Sequence, residues 1–250
     1  MKKYLLIFIM TLGACSLTNN SSDFEYKEIK TSKFKIASWQ KISDEYSPYK
    51  VYIEGDGHVF YPSGIISSDP TPRDTFWRDI AFSDPHPNVI YLARPCQYVT
   101  DDAECHHKYW SSARFSPEII QSEYEAIYRS TLNNPITLVG YSGGAQVAGL
   151  VAVKYPQLKI NKLVTYAGNL DIDSWVKYHN FTPLILSENL GKYKKEYLKI
   201  PQVHYVGEYD ENVVPEITEK FISGKHLITK IKNASHNRIT DNSYLMIQYE

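Results

Sequence analysis

Most of the buried-looking segments in this chain are continuous apolar or β-branched runs; few show strict alternation. Six such runs, at 50–54, 89–93, 136–140, 163–166, 203–206 and 227–231, read as short strands. Continuous runs of this length are what a strand needs when it is covered on both faces, as in a parallel sheet. Between them, 73–82, 117–132, 144–155 and 216–223 read as helices. Proline and aspartate signals open the first. The second begins Ser116-Pro117-Glu118, a cap followed by proline at the first helical position. Strand and helix alternate, which predicts a doubly wound, mostly parallel α/β sheet with helices on both faces. Ligands of such sheets bind at the carboxyl ends of the strands, so reactive residues are expected just after a strand.

The first residues depart from that pattern. Met1-Lys2-Lys3 precedes an apolar stretch at 4–12 and then Leu12-Gly13-Ala14-Cys15. A basic start, a short apolar core and small residues describe an export signal over 1–14, well short of the ~20 residues that span a bilayer. An uncleaved anchor or a buried helix is the competing reading. Leu12 to Cys15 resembles the lipobox of bacterial lipoproteins. That resemblance implies a lipid on Cys15 and attachment to the cell envelope. Ser16 is not the aspartate that commonly retains such proteins at the inner membrane, so in a cell with two membranes the expectation is the outer membrane, facing the periplasm. The segment 15–32, rich in Ser, Asn, Thr and Lys, reads as a flexible tether. The remaining 33–250 suits one α/β domain.

Composition narrows the partners. The net charge is −1 and no long basic run occurs, which argues against nucleic acid. Of three cysteines, the lipid reading takes Cys15 and leaves Cys96 and Cys105, an even pair expected to join outside the cytoplasm. A metal site of Cys96, Cys105, His106 and His107 is the alternative, with spacings unlike the usual Cys-x-x-Cys or His-x-x-x-His. Gly55-Asp56-Gly57 lacks the later glycine of a dinucleotide fingerprint and the Gly-Lys-Ser/Thr of an NTPase loop, and neither a metal nor a cofactor is expected.

The chemistry centres on Gly140-Tyr141-Ser142-Gly143-Gly144, which follows the run at 136–140 and opens the helix at 144–155. Glycines two before and two after the serine let a sharp strand-to-helix turn form. The serine then stands at a helix N-terminus, where the dipole and free N–H groups favour negative charge. A Gly/Ser turn that merely caps a helix is the simpler alternative. A serine hydroxyl needs a base to take its proton and a carboxylate to orient that base.

Strand, Gly-x-Ser-x-Gly turn and helix resemble the nucleophile elbow of the α/β hydrolases. The resemblance covers about 33–237 and implies a Ser, Asp/Glu, His order along the chain. Gly207-Glu208-Tyr209-Asp210, followed by Val213-Val214-Pro215, is similar to the acid loop of that superfamily and makes Asp210 the acid, with Glu208 and Glu211 as rivals. Of the two histidines after Asp210, His226 precedes the last strand and His236 follows it, so His236 is the expected base. Gly143 supplies one oxyanion donor. Gly55-Asp56-Gly57 resembles the superfamily's His-Gly-x-Gly loop and implies the Asp56 N–H as the second, with Glu54 in place of the usual His.

Further segments, including 53–57, 68–73, 93–98 and 109–115, look like a group of exported bacterial α/β hydrolases. Within them Arg94, Tyr98, Trp110 and Arg114 either shape the pocket or brace the loop between Cys96 and Cys105, and His58 is a candidate substrate contact. The segment 169–199, holding Trp175, Tyr178, Phe181, Tyr193 and Tyr197, is where such folds place a cap. The expected activity is hydrolysis of a small-molecule carboxylic ester. An amide or thioester would use the same groups, and an idle scaffold that only binds is the reading from another class.

Overall fold

The computed structural model describes residues 23–222 and 227–239. The segment read as an export signal, Cys15 and His226 lie outside the described residues. In chain order the elements are β1 (Glu25–Lys30), β2 (Lys35–Ile42), β3 (Tyr49–Ile53), α1 (Phe76–Phe82), β4 (Asn88–Leu92), α2 (Pro117–Thr131), β5 (Ile136–Tyr141), α3 (Gly143–Lys154), β6 (Ile160–Tyr166), α4 (Ile172–His179), α5 (Lys194–Tyr197), β7 (Gln202–Gly207), α6 (Pro215–Ile222) and β8 (Leu227–Ile231).

The eight strands form one sheet in the order β1-β2-β4-β3-β5-β6-β7-β8. β2 runs antiparallel to both β1 and β4, and the other neighbours are parallel. Successive residues of the central strands enter two different cores. Val51, Ile53, Leu138 and Leu163 meet Ile119, Ile120 and Leu150 of α2 and α3, whereas Tyr52, Val139 and Val164 meet Trp77 and Ile80 of α1. Each large apolar side chain buried is worth ~1.5–3 kcal/mol, so a strand covered on both sides gains from every position and shows no polar alternation.

The apolar pattern does not reveal β1 and β2. β1 lies within the segment read as tether, which corrects that boundary: the folded part begins near Phe24, well ahead of position 33. Its sequence, Glu-Tyr-Lys-Glu-Ile-Lys, is almost wholly exposed, because an edge strand is held through main-chain pairing to β2. Ring contacts add to this, with Phe24 stacked on Phe82 at 4.2 Å and Tyr26 against Trp39 at 5.0 Å. α1 starts at Phe76, three residues later than expected from the sequence. Pro70 and Pro72 stand in the non-helical run before it, and Asp74 Oδ1 accepts the Phe76 N–H at 3.1 Å.

Candidate active site

β5 sits in the middle of the sheet, and the chain turns at its carboxyl end directly into α3. Ser142, at the corner, has φ 51° and ψ −120°, a strained conformation for a residue with a side chain. It is over-determined by its surroundings. The Ser142 N–H donates to Tyr166 O at 3.0 Å, and its carbonyl accepts from Ala145 at 3.1 Å and Asn169 at 3.0 Å. A β-carbon on Gly144 would lie 2.4 Å from Ile53 O, and one on Gly140 would lie 2.6 Å from the Ala145 Cα, so both corners of the turn require glycine.

The expected acid and base follow β7 and β8, two and three strands along the sheet from β5. Asp210 follows β7 and is buried, its Oδ1 accepting the N–H groups of Asn212 at 2.9 Å and Val213 at 2.8 Å. His236 follows β8, with Nδ1 at 2.9 Å from Asp210 Oδ2 and Nε2 at 3.0 Å from Ser142 Oγ. The histidine loop is held by Tyr141, whose hydroxyl donates to His236 O at 3.1 Å while its ring stacks on Trp77 at 5.1 Å. Glu208 and Glu211 take no part: Glu208 accepts the Asn233 N–H at 2.9 Å, and Glu211 is exposed. With Nδ1 donating to Asp210, Nε2 presents its lone pair to the serine hydroxyl, the arrangement general-base activation requires.

Beside the elbow lies the loop after β3. A β-carbon on Gly143 would sit 2.1 Å from Asp56 Oδ1, so the carboxylate reaches the serine turn only because residue 143 is glycine. Gly143 opens α3, where the first N–H groups have no partner within the helix. The Asp56 N–H has no main-chain acceptor among the described residues. Its carboxylate is gripped on both sides, by Arg94 Nη1 at 3.3 Å and Arg114 Nη1 at 2.8 Å. The two arginines therefore hold the Asp56 loop, which goes beyond bracing the disulfide, and Arg114 also lines the cavity. Tyr98 and Trp110 are more distant supports: Tyr98 packs on Trp39, and the Trp110 indole donates to Ser67 O.

Two buried acids flank this loop. Glu54 accepts from the Gly55 N–H at 2.7 Å and from the Tyr91 hydroxyl, yet burial pushes its carboxyl up to about 7. Burial likewise pushes Glu123, 3.4 Å from Arg94 Nε, up to about 8, and the guanidinium does not offset it. At neutral pH Glu123 is therefore mostly uncharged.

Cys96 and Cys105 form a disulfide, which removes the thiolates that the metal alternative needs. A cavity of about 950 Å³ opens above Ser142 and His236. His58, Phe60, Ile66, Trp77, Trp175, Phe181 and Leu184 are among its walls. Of the aromatics at 169–199, only Trp175 and Phe181 reach it; Tyr178 is exposed, Tyr197 is buried in the core and Tyr193 packs against that core. α4 is tied to the acid loop, since Trp175 Nε1 donates to Asn212 O at 2.8 Å and His179 Nε2 lies 2.7 Å from the same oxygen. Asn169, which no sequence motif singles out, also lines the cavity, with a buried Oδ1 that has no partner among the described residues.

No family model and no curated protein matches the sequence. Solved structures do. Est1E from Butyrivibrio proteoclasticus is 11% identical with a TM-score of 0.60, over 89% of this chain and 93% of its own. An esterase of Pyrococcus furiosus is 18% identical with a TM-score of 0.59, over 91% and 88%. An alpha-beta serine hydrolase homologue from Coxiella burnetii is 15% identical with a TM-score of 0.56, over 98% and 100%. This is the α/β-hydrolase fold. In an α/β-hydrolase sheet the nucleophile elbow stands at the carboxyl end of a central strand, with the acid and base on loops after later strands. Ser142, Asp210 and His236 occupy those places, after β5, β7 and β8. The loop after β3, carrying Asp56, borders the same end of the sheet.

Proposed function

We propose that the protein is a serine hydrolase that cleaves carboxylic esters through an acyl-enzyme. The observation that carries this is the continuous line from Asp210 through His236 to Ser142 Oγ, with contacts of 2.9 and 3.0 Å. Ser142 Oγ attacks the ester carbonyl as His236 Nε2 takes its proton, and the carbonyl π pair moves onto oxygen. The N–H groups of Gly143 and Asp56 receive that oxyanion. On collapse the C–O bond to the alcohol breaks, and His236 returns the proton to the departing alkoxide. Water repeats the sequence on the acyl-enzyme, releasing the acid and restoring Ser142. Asp210 stays ionised and stabilises the imidazolium formed in each half.

The proposal extends to substrate and location. The apolar and aromatic walls around Trp175, Phe181 and Leu184 suit an ester with a bulky apolar acyl or alcohol group. The export signal and Cys15 support a protein held at the cell envelope by a lipid. A fluorophosphonate probe tests the chemistry: it is expected to label wild-type protein covalently and Ser142→Ala not at all. Folded wild-type protein that stays unlabelled would sink the enzyme reading. A Cys15→Ser protein that remains in the membrane fraction would sink the anchor.

A further inference from the structure

The proposed reaction requires the Asp56 N–H to be aimed at the oxyanion. The Gly55–Asp56 peptide is trans, so its C=O and N–H point in opposite directions, and whatever fixes one fixes the other. Gly55 O accepts a hydrogen bond of 3.1 Å from Gln97 Nε2. Gln97 is 1% exposed, and its own Oε1 accepts the Arg94 N–H at 3.0 Å. Its amide is thereby locked at both ends, with the NH₂ group turned to Gly55. Gly57, at φ +68°, makes room for it: a β-carbon there would lie 2.6 Å from Gln97 Nε2.

We infer that Gln97 is the positioning residue of the second oxyanion donor, acting through the Gly55–Asp56 peptide plane. This rests on the serine-hydrolase reading above. By holding Gly55 O on the far side, Gln97 turns the Asp56 N–H towards Ser142 and Gly143. The bond to the carbonyl also polarises the peptide and strengthens its N–H as a donor. Arg94 and Arg114 fix the side chain of the same residue, so the Asp56 main chain and carboxylate are both anchored, with Arg94 contributing to each. Gln97 directly follows Cys96, and the bridge to Cys105 ties its loop to the region ahead of Trp110.

Gln97→Glu is the discriminating variant. It keeps the volume and an acceptor for the Arg94 N–H, but sets an oxygen against Gly55 O. With a p-nitrophenyl ester, kcat is expected to fall about 10- to 100-fold while KM stays within about two-fold, since a misaimed donor acts on the transition state. The ratio of variant to wild-type kcat should rise towards acid pH, where the new carboxyl is protonated and donates again. Affinity for a trifluoromethyl ketone, whose adduct carries the oxyanion, should fall by the same factor as kcat. Gln97→Met, which removes the donor without adding charge, should give the same loss with no pH-dependent recovery.

Unchanged kcat in folded Gln97→Glu and Gln97→Met, or kcat and KM changing together, would overturn the inference. So would failure of both variants to fold, which would make Gln97 a structural residue. Wild-type protein that neither hydrolyses the ester nor labels at Ser142 would instead refute the reading on which the inference rests.

Discussion

The Asp56 carboxylate occupies the space that a side chain on Gly143 would need, its Oδ1 2.1 Å from where the β-carbon would be. Asp56 and Gly143 carry the two proposed oxyanion donors, so one contact sets their spacing. Gly143→Ala should therefore lower kcat by about 10²-fold, although alanine is the better helix former by ~1 kcal/mol. Steady-state kinetics with a thermal melt checks this. A variant as active as wild type would show that the Asp56 loop can retreat without cost.

Asp210 should be irreplaceable where its neighbours are not. Asp210→Asn keeps an acceptor for the Asn212 and Val213 N–H groups but no longer fixes the His236 tautomer. The expected loss is ~10³- to 10⁴-fold in kcat. Glu211→Gln, at an exposed side chain, should leave kcat within about two-fold. Equal losses in the two variants would reassign the acid.

The contribution of Glu54 to stability should fall as pH rises through the weakly acidic range. Glu54 titrates near 7 in the folded protein against an ordinary value of 4.5, so between those values the folded state binds more protons than the unfolded state. Stability from this group is full below pH 4.5, declines up to about pH 7 and then levels, a difference of about 3 kcal/mol. Glu123, titrating near 8, extends the decline in the same direction. Urea unfolding at pH 5 and pH 8 should show a smaller difference for Glu54→Gln than for wild type, and an unchanged slope would argue against a buried neutral Glu54.

Substrate preference should respond to Trp175 and Phe181, whose rings stand 5.2 Å apart at the cavity wall. Replacing both with alanine is expected to reduce kcat/KM for bulky acyl esters about ten-fold or more and to spare acetate esters, because a methylene left without its apolar neighbour costs ~1–3 kcal/mol. A panel of p-nitrophenyl esters of graded acyl size reads this directly. Parallel losses across the panel would remove these residues from specificity.

Much of the candidate site was legible in the sequence because its signals are local. An apolar strand, Gly-Tyr-Ser-Gly-Gly and a helix specify a turn over a short stretch of chain, and the order of Asp210 and His236 follows from which runs are strands. The aromatic segment at 169–199 was less readable. Trp175 and Tyr197 are both large and aromatic, and only the packing decides that one meets the cavity and the other the core. β1 was hidden for the opposite reason: an edge strand needs only main-chain pairing and tolerates charged side chains on either face.

The sequence by itself determined the α/β alternation, the serine elbow and the chain order of its partners, each a matter of local conformation and period. Tertiary structure alone decided what holds the loop proposed to carry the second oxyanion donor. Arg94, Gln97 and Arg114 reach Asp56 and Gly55 across 38 to 58 residues of chain. No local pattern encodes such contacts, because a buried charge or amide is satisfied by whichever partner the fold brings within about 3 Å, not by its neighbours in sequence.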